Sequence, residues 1–114
     1  MHELSLALNI LDVVAEEAER CGGVRVLGIY LKLGPLAGVV KEALLSAYEI
    51  ARVGSSLEGA ELVIEEVPVM AYCPTCGTVR EVVSVQQLCC IECGTPAHQL
   101  VSGRELEVVA LEIQ

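Results

Sequence analysis

Tryptophan and phenylalanine are absent from this 114-residue chain, and tyrosine occurs only three times. Any core must therefore be built from Leu, Val, Ile and Ala, which a hydrophobic content of 54% readily supplies. The length allows one modest domain or two very small ones. Positive charge is also scarce, with 7 Lys and Arg against 16 Asp and Glu for a net charge of −9. A chain without a positive field does not hold nucleic acid through its phosphates, and anionic lipid surfaces repel it. No apolar run reaches membrane-spanning length, and residues 1–8 carry no basic leader region. The expected location is the cytoplasm. There, six cysteines point to metal or redox chemistry rather than to a disulfide framework. With two histidines in all, no Ser-His-Asp set, phosphate loop or buried carboxylate pair can be assembled, so no enzyme is expected.

The apolar pattern reads as α/β. Leu4, Ala7, Leu8, Leu11, Val14, Ala15 and Ala18 recur at helical spacing over residues 4–20. Leu6, Ile10 and Val13 widen that face, so the helix should be largely buried, and Gly22-Gly23 should stop it. A strand is expected over 24–33 with Leu27, Ile29, Leu31 and Leu33 on one face, ended by Gly34-Pro35. A second helix over 39–53 and a strand over 62–67 complete a βαβ crossover with parallel strands. Composition changes at Pro68, and residues 68–104 hold five of the six cysteines and one expected strand, 78–85. Residues 105–113 then return as a strand. The reading is an α/β fold, a small mixed sheet with two helices, plus an inserted zinc-ribbon-like β domain. Residues 1–67 and 105–114 would form the α/β domain and 68–104 the insertion. The strands bracketing the insertion are expected to pair with each other, antiparallel.

Cys73-Pro-Thr-Cys76-Gly-Thr and Cys90-Ile-Glu-Cys93-Gly-Thr are the strongest local signal. Each Cys-x-x-Cys turn lets two thiolates converge on one ion, and the following glycine lets backbone amides approach the sulfurs. Two such knuckles supply a tetrahedral site, and four thiolates leave no open position, which is the pattern of a structural zinc. Iron accepts the same donors, so a rubredoxin-like electron carrier is the alternative. Cys89 leaves the second register open, because a Cys89–Cys93 pair also falls within known spacers; the repeat favours Cys90. Cys89 and Cys21 read as ordinary thiols, and His98 as a solvated loop histidine.

The start, Met1-His2-Glu3, has its own chemistry. An imidazole at position two can chelate together with the α-amine and neighbouring backbone nitrogens, a nitrogen-rich set suited to nickel(II) or copper(II). These residues precede a helix whose first amides lack intrahelical partners.

Met-His-Glu-Leu-Ser-Leu at 1–6, Gly34-Pro35-Leu36, Gly59-Ala60-x-Leu62, Pro68 ahead of the two knuckles, and Gly103-x-Glu105-Leu106 together resemble the HypA/HybF family. Those proteins are nickel metallochaperones for [NiFe]-hydrogenase maturation. The resemblance implies nickel at His2 with backbone nitrogens from Met1 and Glu3, and zinc at Cys73, Cys76, Cys90 and Cys93. It also implies a HypB-type GTPase and the [NiFe]-hydrogenase large subunit as partners of a monomer or homodimer. The family's second knuckle usually reads Cys-Pro-x-Cys, whereas this chain has Cys90-Ile91-Glu92-Cys93.

Overall fold

The computed structural model describes residues 2–114. Helix α1 (Glu3–Arg20) begins one residue before the expected start. It ends in a double turn, with Gly22 N donating to Glu19 O and Gly23 N to Ala18 O, both glycines at positive φ. That geometry satisfies the last carbonyls of the helix and needs residues without a Cβ. Ala7, Ile10, Leu11, Val14 and Ala18 are buried, but Leu4, Leu8 and Val13 stay about half exposed. The buried stripe is thus narrower than the sequence pattern implied. An apolar pattern gives the width available for burial, and the partner elements decide how much is used.

Strand β1 (Val26–Leu33) buries Ile29, Leu31 and Leu33 as alternation requires. A short 3₁₀ turn over Pro35–Ala37 follows. Helix α2 (Lys41–Ala51) is shorter than expected at both ends, with Val40 as its N-cap and Arg52 as its C-cap. Its buried Leu44, Ala47 and Tyr48 face the core. Tyr48, fully buried, donates its hydroxyl to Ala60 O at 2.8 Å just ahead of β2 (Glu61–Glu66).

After β2 come β3 (Met70–Cys73), β4 (Thr78–Glu81), β5 (Gln99–Ser102) and β6 (Leu106–Ile113). One sheet has the order β2-β1-β6. Val67 N donates to Leu33 O where β2 and β1 both end, so these strands run the same way. Gln114 N donates to Arg25 O and Gly34 N to Glu105 O at opposite ends, so β6 runs against β1. The sheet is mixed. The expected pairing of β2 with β6 does not occur, because β1 lies between them. Both bracketing strands do reach the same sheet, and the apolar run of β1 fills the central place, which buries one strand edge on each side.

The second sheet, β4-β3-β5, is antiparallel, with Tyr72 opposite Val79 and Gln99. Only part of it was legible. The strand expected over 78–85 stops at Glu81, and Val82 makes an isolated bridge to Cys90 instead. β3 and β5 are four-residue strands, too short to announce a period.

Contacts divide the chain into two compact units. The first runs to Lys32 and adds Val39–Glu65 and Glu107–Gln114; the second comprises Leu33–Gly38 and Glu66–Leu106. The Gly34-Pro35-Leu36 turn, expected within the α/β layer, thus falls in the second unit. Leu36 N donates to Gly103 O at 2.8 Å there. A Cβ on Gly34 would fall on the Gly103 carbonyl group and lie 2.7 Å from Arg104 N. The second unit has a small core of Val69, Ala71 and Val82, against which Leu36, Ala97 and Leu100 pack.

Candidate metal centre

The two knuckles have the same backbone. Gly77 N donates to Cys73 O at 2.8 Å, and Gly94 N to Cys90 O at 2.9 Å. Both glycines sit at positive φ, +73° and +78°, where a Cβ would be strained. Cys76 N also points at Cys73 Sγ, 3.4 Å away. The β3–β4 hairpin carries the first knuckle at its tip. The second is held by the Val82–Cys90 and Cys89–Pro96 bridges and by Cys90 N donating to Thr95 O.

These turns bring the sulfurs of Cys73, Cys76, Cys90 and Cys93 within 4.8 Å of one another. Cys73 and Cys93 lie 3.4 Å apart, and Cys76 and Cys90 3.9 Å. A tetrahedral ion with bonds of about 2.3 Å to sulfur sets its ligands about 3.8 Å apart. The donor set and its spacing therefore fit zinc, which four thiolates would hold as a closed structural ion. Among the described residues this is the one group of three or more His, Cys, Asp or Glu ligand atoms close enough to share an ion. Cys89 is not in it; its carbonyl accepts from Val83 N, just beyond β4. Cys21 and His98 are exposed and also lie outside the group.

The four thiols differ in character. The Thr95 hydroxyl, its backbone and the Cys73 thiol beside it lower the Cys93 thiol to about 6, against burial. The Arg80 guanidinium draws Cys76 down, but the neighbouring Cys93 sulfur, burial, and Cys73 and Cys90 outweigh it, pushing Cys76 up to about 11. Of these two thiols, Cys93 gives up its proton the more readily. Thr75, Thr95 and Arg80 are neighbours of these sulfurs to which the sequence analysis gave no role. The repeated Cys-Gly-Thr was the available signal for Thr95, and it carried no role.

At the other candidate, His2 is the exposed N-cap of α1. Its carbonyl accepts from Leu6 N at 3.1 Å, and its imidazole makes no capping bond. Glu3 opens the helix as the acidic residue of its first turn. Met1 lies outside the described residues.

An α/β layer of two helices and a mixed sheet, carrying a zinc-ribbon-like β unit with four converging cysteines, defines a class of small two-unit metal-binding proteins. The family described as "Hydrogenase/urease nickel incorporation, metallochaperone, hypA" matches residues 1–113, and the chain belongs to this HypA family of metallochaperones for hydrogenase maturation. It is 44% identical over 114 residues to the hydrogenase maturation factor HypA of Roseiflexus sp. (strain RS-1), covering 100% of this chain and 93% of that protein. It is 46% identical over 112 residues to that of Chloroflexus aggregans (strain MD-66 / DSM 9485), covering 98% of each. In fold it is similar to the solution structure of the Ni metallochaperone HypA from Helicobacter pylori. The TM-score is 0.67 at 23% identity, over 99% of this chain and 97% of that one. No described helix is long and apolar enough to cross a membrane.

Proposed function

We propose that this chain binds nickel(II) at its amino terminus and delivers it for [NiFe]-hydrogenase maturation, with zinc held at Cys73, Cys76, Cys90 and Cys93. Nickel is the cargo. The His2 imidazole binds it together with backbone nitrogens of Met1 and Glu3, in the first unit of the chain. The observation that carries this reading is the exposed His2 at the N-cap of α1, its ring committed to no capping bond. Membership of a family named for nickel incorporation supplies the ion. The protein acts as a carrier, not as an enzyme, in the cytoplasm. Its partners in this reading are a HypB-type GTPase and the hydrogenase large subunit.

Zinc supplies cross-linking, not chemistry, since four thiolates leave no place for water or substrate. It ties together a second unit whose small buried core is Val69, Ala71 and Val82. The 1–67/105–114 part carries the cargo, and the 68–104 part is the folded support.

Nickel titration of untagged protein tests this. A neutral imidazole and deprotonated backbone nitrogens are required, so loading releases protons and affinity falls as pH drops. His2→Ala, or an extension ahead of Met1, should abolish the site and leave zinc content unchanged. Equal nickel affinity in all three proteins refutes the amino-terminal site. Iron in place of zinc after purification would favour the rubredoxin-like reading.

A further inference from the structure

The four sulfurs are not equally protected. Cys73 and Cys90 are buried and Cys76 is intermediate, while Cys93 is exposed, so solvent and competing ligands reach the cluster there first. Cys93 Sγ lies 3.1 Å from Thr95 Oγ1, and Thr95 Oγ1 donates to Thr75 Oγ1 at 2.9 Å, joining the two knuckles side chain to side chain.

The hydrogen count of this chain is restrictive. Thr95 has one hydroxyl hydrogen. While that hydrogen is on Thr75, the Cys93–Thr95 contact needs the proton of the thiol. A metal-bound Cys93 has lost its proton to solvent, so the Thr95 hydrogen must turn to sulfur and Thr75 must donate to Thr95. No hydroxyl proton leaves its oxygen; each O–H only rotates. The reversal is available because a hydroxyl is both donor and acceptor, which neither a carbonyl nor an ammonium can be.

We propose that Thr95 and Thr75 form a reversible hydroxyl relay that serves Cys93 both as a free thiol and as a zinc ligand, and so holds the metal at its most exposed ligand. Both are positioning residues. The relay rests on the four-cysteine zinc reading given above. Outer hydrogen bonds to metal ligands typically change affinity ten- to a hundredfold.

The test uses the full chain loaded with zinc, or with cobalt(II) as a coloured substitute, in four forms: parent, Thr95→Val, Thr95→Ser and Thr75→Val. Zinc release to a chromogenic chelator should be roughly tenfold or more faster in Thr95→Val, which keeps the shape and loses the hydroxyl. The thiolate-to-cobalt absorption should move to lower energy, because the sulfur is no longer stabilised. Thr95→Ser should behave as parent. Thr75→Val, at an exposed position, should release zinc faster by a smaller factor, since Thr95 still donates to sulfur but loses its supporting donor. Should Thr95→Val fail to fold, Thr75→Val alone decides. Parent-like release and spectra in the valine variants, or release from Thr95→Ser as fast as from Thr95→Val, would overturn the relay. A parent that holds no zinc would instead overturn the four-cysteine reading.

Discussion

The carbonyl of Ala60 accepts two hydrogen bonds, from Tyr48 Oη at 2.8 Å and Arg52 Nη1 at 2.9 Å. Ala60 is fully buried, so water cannot replace either donor. Tyr48→Phe removes one bond, but Arg52 keeps the oxygen satisfied, and the cost should be about 1 kcal/mol. Arg52→Met removes the other, along with a stack of the guanidinium on the Tyr48 ring at 5.8 Å and an ion pair with the exposed Glu49. The exposed ion pair adds about 0.5 kcal/mol and the stack on the buried ring about 0.5–2 kcal/mol, so this variant should cost about 2–3 kcal/mol. The double variant leaves the Ala60 carbonyl with no side-chain donor, which adds a desolvation cost of about 1–3 kcal/mol. The pair should therefore exceed the sum of its singles by about 1–3 kcal/mol. Both α-helices belong to the first unit, so urea unfolding of zinc-loaded protein followed at 222 nm reads that unit. Additivity within 0.5 kcal/mol, roughly the scatter between independent sites, would refute the shared-acceptor argument.

Burial raises the Tyr48 pKa, with Arg52 opposing. Its contribution is therefore fully present below the ordinary phenol value of about 10 and lost as pH climbs through the folded-state value. The stability gap between parent and Tyr48→Phe, measured by urea titration, should shrink above about pH 10; a constant gap would contradict this. Cys90→Ala should lose zinc and protection of β3–β5 amides from exchange, while Cys89→Ala retains both; the reverse would reassign the second knuckle. The same loss by chelation should leave most of the 222 nm signal, because the first unit has its own core around Ile29, Leu31, Leu44 and Tyr48. Gly34→Ala should cost about 3 kcal/mol or more, since its methyl would meet the Gly103 backbone rather than a movable side chain. A thermal midpoint within a few degrees of parent would show that the crossing can open.

The long periodic elements of this chain announced themselves. α1 and β1 follow directly from repeats of Leu, Ile and Val at helical and alternating spacing. The knuckles were legible because Cys-x-x-Cys-Gly fixes its own turn, whatever surrounds it. Strand neighbours were not. The order β2-β1-β6 is a choice among long-range pairings, and nothing local to Glu61–Glu66 or Leu106–Ile113 states which strand lies beside which. β3 and β5 escaped for the opposite reason, since four residues give two alternations at most. The Thr95–Thr75 contact spans twenty residues of sequence and exists only because the two knuckles face each other.

The middle position of β1 has a consequence for synthesis on the ribosome. β1 is made early and β2 soon after, but the neighbour on its other edge, β6, is translated after all the other described elements. Every residue of the cysteine-bearing segment leaves the exit tunnel before that neighbour does. The metal-binding unit can thus mature while the sheet that carries it is still open along one edge. Until β6 arrives, that edge presents unpaired amides and carbonyls to any other chain nearby. Loss of Leu106–Ile113 would leave the zinc ligands in place and the sheet permanently unclosed.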